Sequence, residues 1–378
     1  MICEIKTYLK RVLFSVGRYW IIKPKYFHNE YDIVFLFQKY DISGASRVHL
    51  DIVSLLVESN KLVVFVEYSP NKGLLSEYKL YSDVFIIRNK ILRRFYLGML
   101  AAFISKQRPE FFFGMGTPSF YIVSRAINNP EVKIIDIIHA VSGLAFTPIN
   151  IIPSLYKRIV IDPFTKEELF NYYQENGFST EHITLINNKT YLPAPPDKSY
   201  NTNLSILYVG RSTVEKQVHL IAEIAKGLKN KIDVIITMIG EFNSEFIKDN
   251  EHLINFVPEI HDIKILRNYY ESHDLLILVS SREGFPMVIM EAMAHGVVPI
   301  STPVGGIAFH ITNEFNGLLL NGNDDFQIVE DAVVKILELY NDRHLMKKMS
   351  LNAYNYAKEN FSINRFDESY KAIFTTNH

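Results

Sequence analysis

Basic residues follow a glycine at one point in the chain where a phosphate could bind. Gly210, Arg211 and Lys216 come directly after a predicted strand at 205–210, at the start of a predicted helix. Glycine lets the backbone approach a ligand closely, and the first turn of a helix offers free N–H groups and a positive dipole end. With two cations added, this arrangement suits a diphosphate, although the spacing is not that of a Walker A loop. The alternative is a surface turn whose two cations are solvated.

Two carboxylates, Glu283 and Glu291, flank the start of another predicted helix. Glu283 lies in the loop before Pro286, which suits a first helical turn, and Glu291 lies between apolar residues further along, where a charge needs a partner. The two can bind separate sets of hydroxyls, which leaves the amides between them for phosphate or sugar oxygens. A helix cap beside a surface glutamate is the alternative, and it explains Glu291 poorly. The amides expected to donate are those of Gly284, Phe285, Met287 and Val288.

The elements that must position these residues alternate between strand and helix along two stretches of the chain. The alternation begins near residue 31, breaks at 187–203, a segment rich in proline and asparagine, and restarts at 205. One continuous helix is expected at 214–229. Repeated βα units predict parallel sheets covered by helices. Strands are predicted at 32–38, 62–67, 84–87, 110–113, 133–138, 158–161 and 182–186, and then at 205–210, 232–240, 253–257, 274–280, 297–301 and 317–320.

Two Rossmann-like α/β domains facing across a cleft are therefore expected. Ligands of such sheets bind outside the carboxyl ends of the strands. Both motifs described above lie at such ends, and so does a second glycine-rich turn at 302–306. The expected divisions are a basic amphipathic segment at 1–30, a first domain at 31–195, a second domain at 196–360, and a C-terminal helix at 361–378 that rejoins the first domain.

The composition excludes several classes of protein. With 48% hydrophobic and 21% charged residues, the 378-residue chain can build large cores and is not a disordered tail. Forty basic side chains against 41 acidic ones give a net charge of −1, which disfavours a dedicated nucleic-acid binder. The single cysteine, Cys3, excludes an internal disulfide framework and a zinc cluster of several cysteines, so a reducing compartment is expected. No apolar run reaches the roughly 20 residues that span a bilayer.

Residues 1–22 have the pattern of an amphipathic helix, and the charge of the chain is unevenly spread. Residues 1–195 carry 23 Lys and Arg against 17 Asp and Glu, whereas 196–378 carry 17 against 24. Two interpretations remain open: the helix packs on the neighbouring domain with its basic side in water, or residues 1–25 lie on an anionic membrane surface. The apolar face comprises Ile2, Ile5, Leu9, Val12, Leu13, Val16 and Trp20, and the basic face comprises Lys6, Lys10, Arg11 and Arg18.

The motifs of the second half, in their order and separation, resemble a known family. The runs Val209-Gly210-Arg211 and Glu215-Lys216, the pair Glu283 and Glu291, and the turn Pro303-Val304-Gly305-Gly306 look like the donor half of retaining glycosyltransferases of the GT4 type, which have the GT-B fold. The resemblance covers essentially all of 205–310, with one departure at Gln217, where the family often has glycine. It implies a nucleotide-diphosphate sugar of the UDP or GDP type as donor substrate, no cofactor, no metal ion, and retention of configuration at the sugar.

The resemblance also implies roles for individual residues of the second half. Arg211 and Lys216 would hold the diphosphate and stabilise it as it leaves. Glu291 would bind the ribose hydroxyls, while Glu283 and the amides after it would bind hydroxyls of the donor sugar. The backbone near Val257 would meet the base. The glycine-rich turn that ends at Gly306 would complete the donor-binding site.

The N-terminal half resembles the family less closely. Ser43 and Gly44 resemble the glycine-rich loop after the first strand, which approaches the phosphates and the acceptor, with serine in place of one of the two usual glycines. His139, at the end of the strand 133–138, resembles the histidine that reaches the donor sugar from the acceptor domain. The implied catalytic set is then His139, Arg211, Lys216 and Glu283.

The expected reaction is transfer of a sugar to a glycan or lipid-linked acceptor, as in the synthesis of bacterial cell-surface polysaccharides or glycolipids. Because no enzymic nucleophile is apparent, we expect front-face attack through an oxocarbenium-like transition state. The expected location is cytoplasmic, and peripheral on the inner face of the cell membrane if the N-terminal helix binds lipid. Two alternatives remain: a nucleotide-sugar epimerase on the same fold, and a catalytically silent nucleotide-sugar binding protein.

Overall fold

The chain folds into two compact units. A computed structural model describes residues 2–20, 24–69, 73–140, 146, 152, 154–196, 198 and 203–375, and only the backbone of residues 2–5. The first unit comprises the described residues of 1–161, 165–186 and 367–378, and the second comprises those of 162–164 and 187–366. The division after residue 186 comes slightly before the boundary expected at 195.

The first unit is built around a parallel sheet of seven strands, whose order is β3-β2-β1-β4-β5-β6-β7. All five residues of β1 are buried, because helices cover both faces of such a sheet, and this is why its apolar runs do not alternate with polar residues. The strands are β1 (Ile33–Phe37), β2 (Lys61–Phe65), β3 (Asp83–Ile86), β4 (Phe111–Met115), β5 (Lys133–Ile138), β6 (Lys157–Val160) and β7 (Ile183–Leu185).

Helices connect these strands. A short 3-10 helix at Lys25–His28 precedes β1. The seven-residue helix between β2 and β3 was not predicted, because its length gives too little periodicity to read. The helices in this part of the chain are α1 (Ile2–Tyr19), α2 (Gly44–Leu55), α3 (Leu75–Tyr81), α4 (Arg93–Gln107), α5 (Pro118–Ala126) and α6 (Pro163–Glu175).

The second unit has a parallel sheet of six strands in the order β10-β9-β8-β11-β12-β13. Its strands are β8 (Leu204–Val209), β9 (Val234–Ile239), β10 (Asn255–Val257), β11 (Leu275–Leu278), β12 (Val298–Ser301) and β13 (Leu318–Leu319). The helices that follow along the chain are α7 (Val218–Leu228), α8 (Ser244–Asn250), α9 (Ile263–Ser272), α10 (Met287–Ala294), α11 (Ile307–His310), α12 (Asp325–Asn341), α13 (Arg343–Asn360) and α14 (Ile363–Phe374).

The prediction of one continuous helix at 214–229 is wrong. A 3-10 helix covers Val214–Lys216, and α7 begins only at Val218. Gln217 separates the two with left-handed backbone angles, φ 46° and ψ 41°, which no α-helix can include. The apolar periodicity of the segment does not reveal this break.

Helix α1 packs against α4 through a close crossing made by two glycines. A Cβ on Gly17 would lie 2.0 Å from the carbonyl oxygen of Phe95, and a Cβ on Gly98 would lie 2.0 Å from that of Phe14. Trp20 adds an edge-to-face contact with the Phe95 ring, with 5.4 Å between the centroids. The interpretation that this helix packs on the neighbouring domain therefore describes one side of α1.

The other side of α1 keeps apolar side chains in solvent. Leu9, Val12 and Val16 are 53%, 40% and 43% exposed, and the basic side chains of Lys10 and Arg11 are exposed beside them. Within the described part of the chain, no helix combines the length and the apolar content that crossing a bilayer requires. Packing on α4 thus leaves part of the amphipathic surface without a partner in the first unit.

A buried ion pair joins β5 to β6 within the first unit. Arg158 and Asp136 are 1% and 0% exposed, with 2.7 Å between nitrogen and oxygen. Tyr121 donates a hydrogen bond to Asp136 and accepts one from Arg158, which also donates to the hydroxyl of Tyr173. Hydrogen bonds to the two tyrosines help to satisfy this buried charge pair, which joins β6 to β5, the strand that leads to His139.

Candidate functional site

The loop after β8 approaches the loop after β9 so closely that only glycine fits. Gly210 donates its N–H to the carbonyl of Ile239 over 3.0 Å. A Cβ on Gly240 would lie 2.0 Å from the carbonyl oxygen of Gly210. Arg211 follows with an exposed side chain, while its carbonyl accepts a hydrogen bond from the Tyr208 hydroxyl at 2.9 Å. The backbone is therefore fixed, and the guanidinium is accessible to a ligand.

A left-handed residue ends the short 3-10 helix that carries Lys216. The backbone angles of Gln217 lie in a region that glycine adopts readily and most other residues avoid. This geometry gives a physical reason for the glycine that GT4-type enzymes often have here. The turn forms with Gln217 all the same, and it sets Lys216 at the carboxyl end of the sheet.

Lys216 and Glu283 form an ion pair at the centre of the site. The ammonium nitrogen lies 2.5 Å from Oε1 of Glu283, and the two side chains are 18% and 11% exposed. The backbone reinforces the contact, because Ser281 donates its N–H to the carbonyl of Glu215 over 2.8 Å. The loops after β8 and β11 are thereby joined, so the residue expected to hold the diphosphate and the residue expected to hold the sugar are direct neighbours.

The glycine-rich turn after β12 interlocks with the loop that carries Glu283. Gly305 has φ +57°, and a Cβ there would lie 1.9 Å from the carbonyl oxygen of Glu283. Gly306 donates its N–H to the carbonyl of Gly284 over 2.7 Å. The amide of Gly306 is thus already engaged, and the contribution of this turn is to hold the 283–284 loop in place.

The start of α10 presents backbone N–H groups beside Glu283. Pro286 is the N-cap residue, and no side chain caps the helix. Among the described residues, the amides of Gly284, Phe285, Met287 and Val288 have no hydrogen-bond acceptor. The Phe285 ring is buried and stacks on His310 with 4.0 Å between centroids, which anchors the loop. Unpaired amides at a helix N-terminus suit anionic oxygens.

Glu291 lies one turn further along α10 and is partly buried. Its Oε2 accepts a hydrogen bond from the hydroxyl of Tyr270 at 2.7 Å. Tyr270 belongs to α9 and is 1% exposed. The buried partner that the sequence required for Glu291 is therefore a tyrosine from the preceding helix.

A cavity of about 150 Å³ opens at the ends of β8 and β9. Its lining includes Gly210, Arg211, Gly240 and Ile260. Gly240 donates its N–H to the carbonyl of Val257, the last residue of β10, over 3.0 Å. The backbone near Val257 therefore lies beside this cavity, which is adjacent to the residues expected to hold phosphates.

Ser43 and Gly44 lie in the first unit, at the start of α2. The Ser43 side chain caps the helix by accepting the N–H of Ser46 at 3.3 Å, and Gly44 is the first helical residue. Asp41 accepts hydrogen bonds from the hydroxyls of Ser43 and Ser46 at 2.9 and 2.7 Å. The serine that replaces one of the usual glycines is thus a helix N-cap.

His139 follows β5 in the same unit and contacts a second histidine. Its Nε2 lies 2.9 Å from Nε2 of His49, a residue of α2 that is 2% exposed. The His49 ring stacks on Phe37 with 4.1 Å between centroids. Burial lowers the pKa of His139 to about 4, and burial together with His139 lowers that of His49 well below its ordinary value. Both imidazoles are therefore neutral at pH 7, and one donates to the other.

The second unit brings its predicted site residues together at one edge of its sheet. Arg211 and Lys216 follow β8, Glu283 follows the adjacent β11, and the 302–306 turn follows β12.

Two supporting residues, Tyr270 and His49, were not predicted from the sequence. Each lies in a helix whose apolar spacing is typical of core positions. Across the described ranges, no three His, Cys, Asp or Glu side chains are arranged to hold a metal ion.

Residues 195–356 match the family described as "Glycosyl transferases group 1". Residues 195–356 of the second unit form a group 1 glycosyltransferase domain. This group 1 domain contains all the predicted donor-site residues from Gly210 to Gly306. The match places these residues in a glycosyltransferase family.

Curated relatives include a glycosyltransferase that matches most of the chain and a synthase that matches less than half of it. The capsular polysaccharide biosynthesis glycosyltransferase CapM of Staphylococcus aureus is 26% identical over 328 residues, which cover 82% of this chain and 82% of CapM. Trehalose synthase of Pyrococcus horikoshii is 29% identical over 189 residues, 45% of this chain and 43% of that enzyme. The chain therefore spans less than half the length of the synthase.

A solved structure shows the fold of both units. Anabaena Alr3699/HepE, in complex with UDP-glucose, matches with a TM-score of 0.71 at 16% identity, over 91% of this chain and 99% of that one. The group 1 domain and the first unit thus have the two Rossmann-like domains of GT-B glycosyltransferases, as the βα alternation predicted.

Proposed function

We propose that this protein is a retaining glycosyltransferase that moves a sugar from a nucleotide-diphosphate sugar to a glycan or lipid-linked acceptor. The proposal rests on one observation: within the group 1 domain, Lys216 contacts Glu283 beside the unpaired amides that begin α10. A cation, a carboxylate and backbone donors meet at the place where diphosphate and sugar would join. The name of the CapM relative supports synthesis of a bacterial cell-surface polysaccharide as the process.

The transfer would proceed by front-face attack. The bond between the anomeric carbon and the diphosphate oxygen breaks, and the acceptor hydroxyl forms its bond to the same face of the sugar. The acceptor proton passes to the departing phosphate oxygen. Arg211 and Lys216 stabilise the negative charge that develops on the diphosphate, and these preorganised charges replace a metal ion in that role.

The two carboxylates would bind different parts of the donor. Glu283 accepts hydrogen bonds from sugar hydroxyls, and Glu291 accepts them from the ribose. In the first unit, the neutral His139 contributes a hydrogen-bonding nitrogen toward the sugar. Neutrality suits this role, because a charged imidazolium would oppose the positive charge of an oxocarbenium-like state.

The exposed side of α1 supports a membrane-linked acceptor. Leu9, Val12 and Val16 are exposed beside Lys10 and Arg11, a combination that favours an anionic lipid surface. In this proposal the protein is cytoplasmic and binds peripherally to the inner face of the membrane. Its acceptor would then be reached at the lipid surface.

A panel of UDP- and GDP-linked sugars, incubated with and without candidate acceptors, tests the activity through the nucleotide released. We expect Lys216→Ala to lower turnover by about a hundredfold, the usual cost of losing one preorganised charge. Lys226→Ala is the matched control, because Lys226 forms an exposed pair with Glu223 on α7. Conversion of a nucleotide sugar without release would indicate the epimerase, and binding without turnover would indicate the silent binding protein.

A further inference from the structure

Tyr270 is a fully buried tyrosine whose hydroxyl contacts a residue of the proposed donor site. It donates to Oε2 of Glu291 over 2.7 Å from the neighbouring helix α9. A phenol can only donate to a carboxylate, and burial beside Glu291 raises the pKa of Tyr270 well above its ordinary value. The hydroxyl therefore remains a donor throughout the physiological pH range.

A closed set of contacts holds Tyr270 and Glu291 in register. The Tyr270 ring stacks on His295, with 5.4 Å between centroids and 24° between planes. His295 in turn lies with Nδ1 2.7 Å from the backbone carbonyl of Glu291, one turn earlier in α10. These three contacts link Tyr270, Glu291 and His295 to one another. Tyr270 therefore cannot move without disturbing at least one of them.

From this geometry we infer that Tyr270 is a positioning residue that fixes the Glu291 carboxylate for the ribose hydroxyls of the donor. The inference rests on the proposed function, which assigns the ribose to Glu291. A glutamate side chain has three rotatable bonds, and fixing them before the ligand arrives removes an entropic cost from binding. Tyr270 donates to Oε2 from the buried side of this carboxylate.

The expected consequence concerns recognition of the ribose alone. Tyr270→Phe keeps the ring and its stacking on His295 but removes the hydroxyl. The Glu291 carboxylate then samples more rotamers. We expect the protein to discriminate less between a nucleotide whose ribose carries its hydroxyls and one whose ribose lacks them. Base and diphosphate contacts, which involve other residues, are unchanged.

Calorimetry with two probes measures this preference. Wild type and Tyr270→Phe are titrated with UDP or GDP, whichever the wild type binds, and with the 2′,3′-dideoxy counterpart of the same nucleotide. The preference is the dissociation constant of the dideoxy nucleotide divided by that of the ordinary nucleotide. We expect this ratio to fall about three- to tenfold in Tyr270→Phe, the usual range for one hydrogen bond. Affinity for the dideoxy nucleotide should stay unchanged.

Two further variants separate positioning from a general loss of stability. Tyr354→Phe removes a buried hydroxyl that donates to the carbonyl of Pro193 over 3.0 Å, outside the donor site, and should keep the wild-type ratio. In a Glu291→Ala background, Tyr270→Phe should change the ratio no further, because Tyr270 acts only through the carboxylate.

The outcomes distinguish the inference from the proposed function. A wild type that does not distinguish the two nucleotides would overturn the ribose role of Glu291, and the inference with it. A wild type that distinguishes them, with the same ratio in Tyr270→Phe, would overturn the inference and leave the proposed function standing.

Discussion

Lys216 and Glu283 neutralise each other in the structure, although each is expected to bind a different part of the donor. Both side chains are mostly buried, and their opposite charges compensate each other. A diphosphate that enters the site must compete with Glu283 for the ammonium group. At the residue scale, the proposed function therefore gives the carboxylate two opposed effects: it would weaken the binding of a free nucleotide, and it would contact the sugar during transfer.

These opposed effects predict that Glu283→Gln changes nucleotide affinity and sugar transfer in opposite directions. Removing the negative charge frees Lys216 for phosphate, so nucleoside diphosphate should bind about three- to tenfold more tightly. Sugar transfer should fall at the same time, because the carboxylate contact to the sugar is lost. Calorimetry with the diphosphate and initial rates with the sugar donor measure the two effects.

Glu223→Gln is the matched control for this prediction. Its pair with Lys226 is 2.8 Å long and exposed on α7, where a surface ion pair contributes little. Neither affinity nor rate should change in this variant. Weaker binding of the diphosphate to Glu283→Gln would show that Glu283 supports the phosphate site rather than competing with it.

At the scale of elements, the proposed donor site depends on loops that touch through their backbones. The loops after β11 and β12 are joined by the hydrogen bond from Gly306 to Gly284 and by the approach of Gly305 to Glu283. Side-chain contacts can adjust to a substitution, but a backbone contact of this kind cannot. A methyl group added to a glycine at this contact should therefore displace the loops after β11 and β12 more than most side-chain substitutions would.

Gly305→Ala tests this sensitivity. The new Cβ would meet the carbonyl of Glu283 at 1.9 Å, so the 283–284 loop must shift. We expect turnover to fall at least about tenfold, because misplacing a catalytic group by an ångström is costly.

Gly177→Ala provides the comparison, since Gly177 also has a positive φ, +72°, but an added Cβ would meet nothing within 4 Å. That variant should lose only about 1 kcal/mol of unfolding free energy and keep its activity. Equal activity of the two variants would contradict the importance of the loop contact.

Helix α1 is the other element with a testable consequence. Leu9→Glu and Val12→Glu place charge on the exposed apolar side while α1 stays packed on α4. If this side meets lipid, both variants should bind less to vesicles of phosphatidylglycerol and phosphatidylcholine in a flotation assay. High salt should also weaken binding of the wild type, because part of the attraction is screened.

Val57→Glu makes the same change of charge at a position outside α1 that is 76% exposed, and it should bind vesicles like the wild type. Thermal midpoints should be similar for all three variants, since each changes an exposed residue. If Leu9→Glu and Val12→Glu bound vesicles as well as Val57→Glu, packing on α4 would be the whole role of α1.

At the scale of the whole molecule, the two units carry different parts of the chemistry. The group 1 domain holds the cations, the paired carboxylates and the unpaired amides, and it lies in the acidic half of the chain. The first unit holds His139, Ser43 and α1 in the basic half. Under the proposed function a complete transfer would need both sets, and we expect activity only from the full chain.

The two cations of the proposed donor site, Arg211 and Lys216, also lead to a prediction about the removal of metal ions. If Arg211 and Lys216 supply the positive charge for the departing diphosphate, as proposed, excess chelator should change nucleotide release by the full-length protein less than about twofold. Lys216→Ala, assayed with and without added magnesium, shows whether a metal ion can replace the lost cation. Loss of wild-type activity with chelator, and recovery with magnesium, would show that the two cations do not suffice.

The sequence by itself determined the architecture and the candidate donor residues. Strand β5 was predicted at its observed bounds, because a run of buried apolar residues between turn signals has few other structures available. Gly210, Lys216 and Glu283 could be selected because chemistry at the ends of parallel strands depends on residue type and position along the chain. Their roles toward a donor stay predictions.

Tertiary structure alone decided which side chains meet. The hydrogen bond from Tyr270 to Glu291 and the contact between His49 and His139 join helices and strand ends that are 21 and 90 residues apart. The left-handed turn at Gln217 is equally hidden, because the surrounding fold supplies the energy that holds a non-glycine residue there. Periodicity reports which face of an element is buried, and it carries no record of the partner that buries it.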